Sequence, residues 1–222
     1  YLIKSGGLKS FAGTTIKSFL PSFLSRAKAI TVTNLLEKRE LSELTRVPIT
    51  IVGNGISQDR FAKLKSLSPP SQDTPFRVLY IGNLGMAQNL ETLLDAVGGD
   101  EQFEINLVGS GARANFLKDL VRQSDMTNVK FTGALQWSDT LAHIEQASCL
   151  YGQIGNSFTS AVPSKLYEYL SCGRPVIFGL PDGAAKIMFS DFENISICTP
   201  GCPSELREKL IELKRDTTIE AS

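Results

Sequence analysis

What this sequence lacks narrows it before any motif is read. No apolar run approaches the roughly 18 to 20 residues that a membrane-crossing helix needs, because charge, Gly or Pro interrupts each one earlier. Cys149, Cys172, Cys198 and Cys202 do not make up the two close pairs of a zinc site, so they read as reduced thiols in a cytosolic protein. No carboxylate pair suits Mg²⁺, and there is no internal repeat or low-complexity tract. The single histidine, His143, lies on a short amphipathic stretch without the partners a general base requires. It reads as a surface or helix-cap residue, and Trp137 and the phenylalanines read as packing. No acid precedes Glu37, whereas Lys4, Lys9, Lys17, Arg26 and Lys28 all do. That leader suits an anionic surface.

What is present is a globular composition: 222 residues, 42% hydrophobic, with Lys plus Arg 23 against Asp plus Glu 23, which excludes a disordered chain. The neutral total hides a split. Residues 1–65 carry 11 basic and 4 acidic side chains, the remainder 12 and 19, giving +7 and −7. The chain starts at Tyr1 and nothing before Lys28 resembles a signal-peptide cleavage site. The expectation is a piece of a longer protein.

From about residue 75, short runs of Val, Ile, Leu, Phe and Tyr alternate with longer amphipathic stretches, the pattern of βα units building a parallel sheet. Strands are expected at Arg77–Gly82, Glu104–Gly109, Val129–Gly133, Ser148–Gly152, Pro175–Gly179 and Asn194–Cys198. Helices are expected at Asn89–Val97, Ala114–Ser124, Asp139–Gln146, Lys165–Cys172 and Ser204–Lys214, from i, i+3, i+4 apolar spacing. The front piece reads as a basic helical region to about Ala27, a strand Ala29–Thr33, a helix Leu35–Leu44, a strand Pro48–Val52 and a Gly53-Asn54-Gly55 turn. Residues 62–75, with Pro69-Pro70, read as a linker. This divides the chain into a front domain remnant (1–61), the linker (62–75) and a doubly wound α/β domain (76–222).

Three motifs bear on chemistry. Gly109-Ser110-Gly111-Ala112-Arg113-Ala114 has G-x-G-x-x-A form between a strand and a helix. A dinucleotide site would also want an acid at the end of the next strand, which instead ends Lys130-Phe131-Thr132-Gly133, so close helix–strand packing is the simpler reading. The turn Gly82-Asn83-Leu84-Gly85-Met86-Ala87-Gln88 leaves amides free where a helix begins, a place for a diphosphate or merely an ordinary βα turn. The third is Val162-Pro163-Ser164-Lys165-Leu166-Tyr167-Glu168, continuing to Gly173-Arg174-Pro175-Val176-Ile177. Pro163 and Ser164 read as a helix start with a serine cap. Lys165 in the first turn opposes the helix dipole, which makes sense beside an anionic ligand. Glu168, three residues on, shares its face and could accept sugar hydroxyls. The rival reading is an exposed Lys–Glu pair.

At this run, together with Asn54-Gly55 and Gly82-Asn83-Leu84-Gly85, the sequence resembles the retaining glycosyltransferases of family 4, of GT-B architecture, especially bacterial members that build colanic acid, O-antigen and related surface polysaccharides. The resemblance covers about Ala27 to Leu213. It implies the end of an acceptor-side Rossmann-like domain (1–61) joined to a donor-binding Rossmann-like domain (76–222). It also implies that Glu168 binds the nucleotide ribose, and that Ser164, Lys165 and Leu166 meet the diphosphate. Gly82, Asn83, Gly85 and Gln88 would lie in the phosphate loop, and Gly133, Ala134 and Leu135 at the base edge. Lys165 and Glu168 are then the catalytic candidates. Three departures stand out: Ser160 replaces the first glutamate of E-x7-E, and Asn83 and Gln88 occupy positions where many members carry Arg and Lys.

The resemblance implies sugar transfer, with retention, from a nucleotide-diphosphosugar, UDP-linked by expectation, to a hydroxyl of a polysaccharide or lipid-linked acceptor. No metal, separate cofactor or nucleic acid is implied. The location implied is cytoplasmic or peripheral at the inner membrane, where the basic leader with Leu8, Phe11, Phe19, Leu20, Phe23 and Leu24 could dock on anionic lipid or pack on the rest of the first domain. A nucleotide-sugar epimerase and a non-catalytic nucleotide-binding fragment remain as alternatives.

Overall fold

The computed structural model describes residues 19–68 and 75–219. The start of the basic leader, including Lys4, Leu8, Lys9, Phe11 and Lys17, and the Pro69-Pro70 part of the expected linker lie outside them.

Six strands form one parallel sheet: β3 (Phe76–Ile81), β4 (Phe103–Val108), β5 (Val129–Gly133), β6 (Cys149–Gln153), β7 (Val176–Gly179) and β8 (Ile195–Cys198). Their order is β5-β4-β3-β6-β7-β8. The chain thus winds outward from β3 in one direction, returns to the centre and winds out in the other, the doubly wound arrangement whose ligands sit where the order reverses. Each of these strands lies within one residue of its sequence-based expectation. Central strands buried on both faces must be apolar throughout, and β6 is buried at all of its positions.

Alternation along the strands sorts the core into two layers. Val78, Tyr80, Ile105, Leu107, Tyr151 and Ile177 face one side, packed by α3 (Glu91–Val97), α4 (Ala114–Gln123) and α8 (Pro203–Ile219). Leu79, Val108, Leu150, Val176 and Phe178 face the other, packed by α2 (Gln58–Lys65), α5 (Trp137–Gln146), α6 (Lys165–Ser171) and α7 (Ala184–Phe189). Helix α7, unexpected from sequence, has only six residues and a glycine at its N-cap, too little for a period to show.

The front segment holds β1 (Ile30–Val32) and β2 (Ile49–Ile51), paired in parallel and joined through α1 (Leu35–Ser42). Residues 19–24 are helical, with Phe19 and Phe23, one turn apart, both exposed. The expected linker starts late: Ala62–Lys65 is the last turn of α2. Of its residues only Leu64 is buried, in the second layer, while Phe61 stays exposed, so the pattern offered a single anchor and no apolar face.

Buried Arg174 fastens this region. Its guanidinium donates to the carbonyls of Ser68, Ile144 and Glu145, so it satisfies the end of α5 and the chain leaving α2 at once. Glu145 accepts from the Ser68 amide at 3.1 Å. Cys149, Cys172 and Cys198 are buried free thiols; burial pushes Cys172 up to about 11 and Cys198 up to about 12, which keeps them protonated. Among the described residues no helix is long and apolar enough to cross a membrane.

Candidate functional site

The crevice follows from how little β3 and β6 share. Their pairing comprises Val78↔Cys149 and Leu79↔Leu150. Beyond that the Ile81 amide donates to the Tyr169 hydroxyl of α6 at 2.9 Å in place of a neighbouring strand. Helix α6 is thereby held at the carboxyl end of β3, where the strand order reverses.

Two glycine turns meet there. The Gly82 amide donates to Val108 O, the Leu84 amide to Ser110 O and the Arg113 amide to Leu84 O, each at 2.8 Å. A Cβ on Gly109, whose φ is +143°, would collide with the Gly82 carbonyl, and one on Gly111 would lie 2.5 Å from Leu84 O. The G-x-G-x-x-A run therefore lets the second turn pack on the first, and its glycines are used for close backbone approach. Gly82, with φ +144°, leaves room for a different neighbour: a Cβ there would lie 2.5 Å from Lys165 Nζ.

Lys165 is only partly buried by area, yet its ammonium sits 3.8 Å from the centre of the Tyr80 ring and 5.9 Å from that of Tyr169. Burial lowers its pKa to about 7, with Glu168 acting in the opposite direction. Among the described residues no carboxylate lies within ion-pair distance of it. Burial pushes the Tyr80 and Tyr169 phenols up, so both stay neutral, and Tyr80 donates its hydroxyl to Asn83 O at 2.7 Å. Two ring faces can attract the cation, but they leave its N–H donors free to meet an anion.

The expected serine cap does not form. Ser164 already has helical angles, φ −59° and ψ −29°, and its side chain makes no capping bond; an N-cap needs extended backbone to aim its oxygen at the next turn. Leu166 is fully buried and its amide donates to Pro163 O at 3.1 Å. Of the three amides expected to face a diphosphate, those of Ser164 and Lys165 have no backbone acceptor among the described residues.

Lys165 and Glu168 open onto a cleft of about 200 Å³ whose other walls are Leu64, Ile81, Leu135, Trp137, Thr140, Ile144 and Tyr169. Leu135 is brought beside the pair, while Gly133 and Ala134 stay at the end of β5, Gly133 accepting from the Gly109 amide at 2.7 Å. Asn83, Gly85 and Gln88 lie in the turn above; Asn83 Nδ2 and Gln88 Oε1 face each other at 3.4 Å. Among the described residues no group of His, Cys, Asp and Glu could hold a metal ion. His143 is not in the cleft: its Nδ1 lies 3.0 Å from Asn106 Nδ2.

Several participants were not expected from sequence. Arg60 of α2 donates to Glu168 Oε1 at 2.8 Å while its guanidinium stacks 4.8 Å over Trp137, so Trp137 both packs and lines the cleft. Gln153, buried at the end of β6, donates to Gln88 O, Asn89 O and the Thr92 hydroxyl and accepts from the Gly201 amide. It staples the turn after β3 to the loop after β8. Asn34 and Asn54, from the front segment, donate to the carbonyls of Ser160 and Val162 at 2.8 and 3.2 Å, so the loop leading into α6 is held from outside the sheet. Asn54 belongs to the Gly53-Asn54-Gly55 turn already noted, but the contacts themselves join residues 48 to 126 positions apart, which no local pattern in the sequence reveals.

The family model described as "Glycosyl transferases group 1" matches residues 61–221. Among curated proteins, none matches this sequence. Among solved structures, the chain is similar to Anabaena Alr3699/HepE in complex with UDP and glucose, at TM-score 0.71 and 18% identity over 92% of this chain and 58% of that one. It is similar also to sucrose-phosphate synthase (tll1590) from Thermosynechococcus elongatus, at TM-score 0.75 and 20% identity over 97% and 56%. A third is the catalytic domain of cholesterol-alpha-glucosyltransferase from Helicobacter pylori, at TM-score 0.54 and 20% identity over 66% and 90%. The chain spans a little more than half the length of the first two.

Proposed function

We propose, from the premise that this chain belongs to the group 1 glycosyl transferases and has their GT-B type of α/β fold, that it binds the donor in transfer of a sugar from a nucleotide-diphosphosugar to a hydroxyl acceptor. The observation that carries this reading is the ammonium of Lys165, without a carboxylate partner among the described residues, at the reversal point of the sheet and one turn from Glu168. A desolvated cation of that kind is stabilised by an anion that enters the crevice.

In this reading Lys165 and the amides of Ser164 and Lys165 meet the diphosphate and stabilise it as it leaves the sugar. Glu168 accepts the ribose hydroxyls, and the base lies against Leu135 and the end of β5. Leu166 contributes by anchoring α6 in the core rather than through its amide. Asn83, Gly85 and Gln88 lie beside the phosphates as neutral groups, whereas the amide of Gly82 is already given to Val108 O, so Gly82 contributes only the space its missing side chain leaves for Lys165. No metal or further cofactor enters the scheme. A UDP donor is supported by the UDP and UDP-glucose complexes of the Anabaena neighbour. Retention, membership of family 4 and a polysaccharide or lipid-linked acceptor rest on the sequence resemblance.

The cleft is smaller than the roughly 300–1,000 Å³ of a complete ligand pocket, which supports a longer enzyme whose second wall and acceptor pocket lie outside residues 19–219. The exposed Phe19 and Phe23 support a membrane-docking leader; co-sedimentation with liposomes, with and without anionic lipid, tests it. The neutral pair Asn83 and Gln88 favours one other reading, a binder that has lost turnover.

Calorimetry with UDP, GDP and ADP and their sugars tests donor binding. Measured in the longest available chain, Lys165→Ala should abolish most transfer while leaving the fold intact. Unchanged transfer would remove Lys165 from the mechanism, and failure of every nucleotide to bind would remove the donor reading itself.

A further inference from the structure

We propose that Arg60 is a positioning residue for Glu168, fixing the carboxylate that grips the ribose and tying it to the wall on which the base lies. The inference rests on the nucleotide-sugar reading above and adds a residue from outside the sheet to it.

Three observations carry it. Arg60 Nη1 donates to Glu168 Oε1 at 2.8 Å, across 108 residues of sequence, so the bond joins α2 to α6 and is not a neighbour pair on one helix. The same guanidinium lies 4.8 Å over Trp137, a wall of the cleft, so the planar cation is constrained by a carboxylate at its edge and an indole on its face. Arg60 and Leu64 stand one turn apart on α2, and Leu64 itself lines the cleft.

Stability alone does not account for the choice. Arg60 occupies the first turn of α2, its amide bonded to the Ser57 cap at 3.3 Å, where a cation opposes the helix dipole. An ion pair with side chains 45% and 33% exposed contributes little to folding. What the contact does supply is orientation. A carboxylate offers two oxygens and about four lone-pair directions. With Oε1 engaged by Arg60, the plane of the group is set and the remaining lone pairs are available to a vicinal diol.

The test is calorimetry on the 222-residue chain. UDP, GDP and ADP are titrated first, then the 2′,3′-dideoxy form of whichever binds tightest, then inorganic diphosphate. The wild type should prefer the ribonucleotide over its dideoxy form. Arg60→Ala should weaken the ribonucleotide roughly tenfold, the scale of one bond to a charged group, and erase that preference, while affinity for inorganic diphosphate is unchanged. Arg60→Lys, which keeps the charge without the fork or the stack, should restore part of it. Adding Glu168→Gln to Arg60→Ala should cost less than the two separate losses combined. If Arg60→Ala binds the ribonucleotide as well as or better than wild type with its preference intact, Arg60 does not position Glu168 and the inference is overturned. If the wild type binds no nucleotide at all, the donor reading fails and takes this inference with it.

Discussion

Binding of a nucleoside diphosphate should draw a proton onto Lys165. Burial holds the free amine at a pKa of about 7 against an ordinary 10.5, and an anion arriving at Nζ moves it back up. The sign follows from linkage. Between pH 7 and 10.5 the folded lysine is mostly neutral and the unfolded one charged, so this group alone makes folding more favourable as pH rises through that window. Ligand binding runs the other way, because the complex wants the charged form. At pH 8 a group with that pKa is roughly 10% protonated, so about 0.9 proton is taken up per ligand bound; at pH 6 the figure is about 0.1. Apparent affinity should fall roughly fivefold between pH 7 and pH 8. Calorimetry at pH 8 in two buffers of different ionisation enthalpy reads the uptake directly. Lys165→Met should bind about 10- to 100-fold more weakly at pH 7, the cost of one charge-assisted bond, with uptake abolished. Its folding stability at pH 6 should equal or exceed wild type, since a desolvated charge has been replaced by an apolar chain. Equal heats in the two buffers for the wild type, or undiminished uptake in Lys165→Met, would refute the assignment of that proton.

The remaining expectations concern the scaffold around the crevice. Gly109→Ala, which puts a methyl into the Gly82 carbonyl at a φ of +143°, should destabilise by about 3 kcal/mol or more in urea titration, whereas Gly55→Ala, with open space around it, should change stability by less than about 1 kcal/mol. Equal effects would mean the two turns do not pack as described. Asn34→Asp keeps the oxygen that caps α1 but loses the N–H donated to Ser160 O; a loss of about 1–3 kcal/mol by thermal melting is expected, and a melting temperature like wild type would show that the tether contributes nothing. Arg174→Met strips donors from three carbonyls and should cost about 3 kcal/mol without altering nucleotide affinity of the folded fraction. A stable variant with impaired binding would instead place Arg174 in the site.

Much of the sheet was legible because strands covered on both faces carry nearly continuous apolar runs, as β3, β6 and β7 do, while the edge strands β5 and β8 show the alternation of half-covered ones. Helices α4 and α5 carry a full amphipathic period. Helix α2 carries a single buried residue and α7 only six in all, so periodicity had nothing to act on in either. Within the candidate site, Lys165 and Glu168 could be paired from spacing alone, since three residues on a helix share a face. The capping role of Ser164 could not, because residues with the right hydroxyl cap only when their own backbone is extended.

By itself, then, the order of residues determined the alternation of strand and helix, the glycines that permit tight turns, and the placing of a cation beside a carboxylate on α6. Only tertiary packing decided what surrounds them. It set Lys165 against Tyr80 and so lowered its pKa. It also gave Glu168 a partner in Arg60, and hung the approach to α6 from Asn34 and Asn54. The reason is range: helix and strand period are set by neighbours within a few positions, whereas desolvation and charge pairing depend on atoms that meet only after the chain has wound out from β3 and come back.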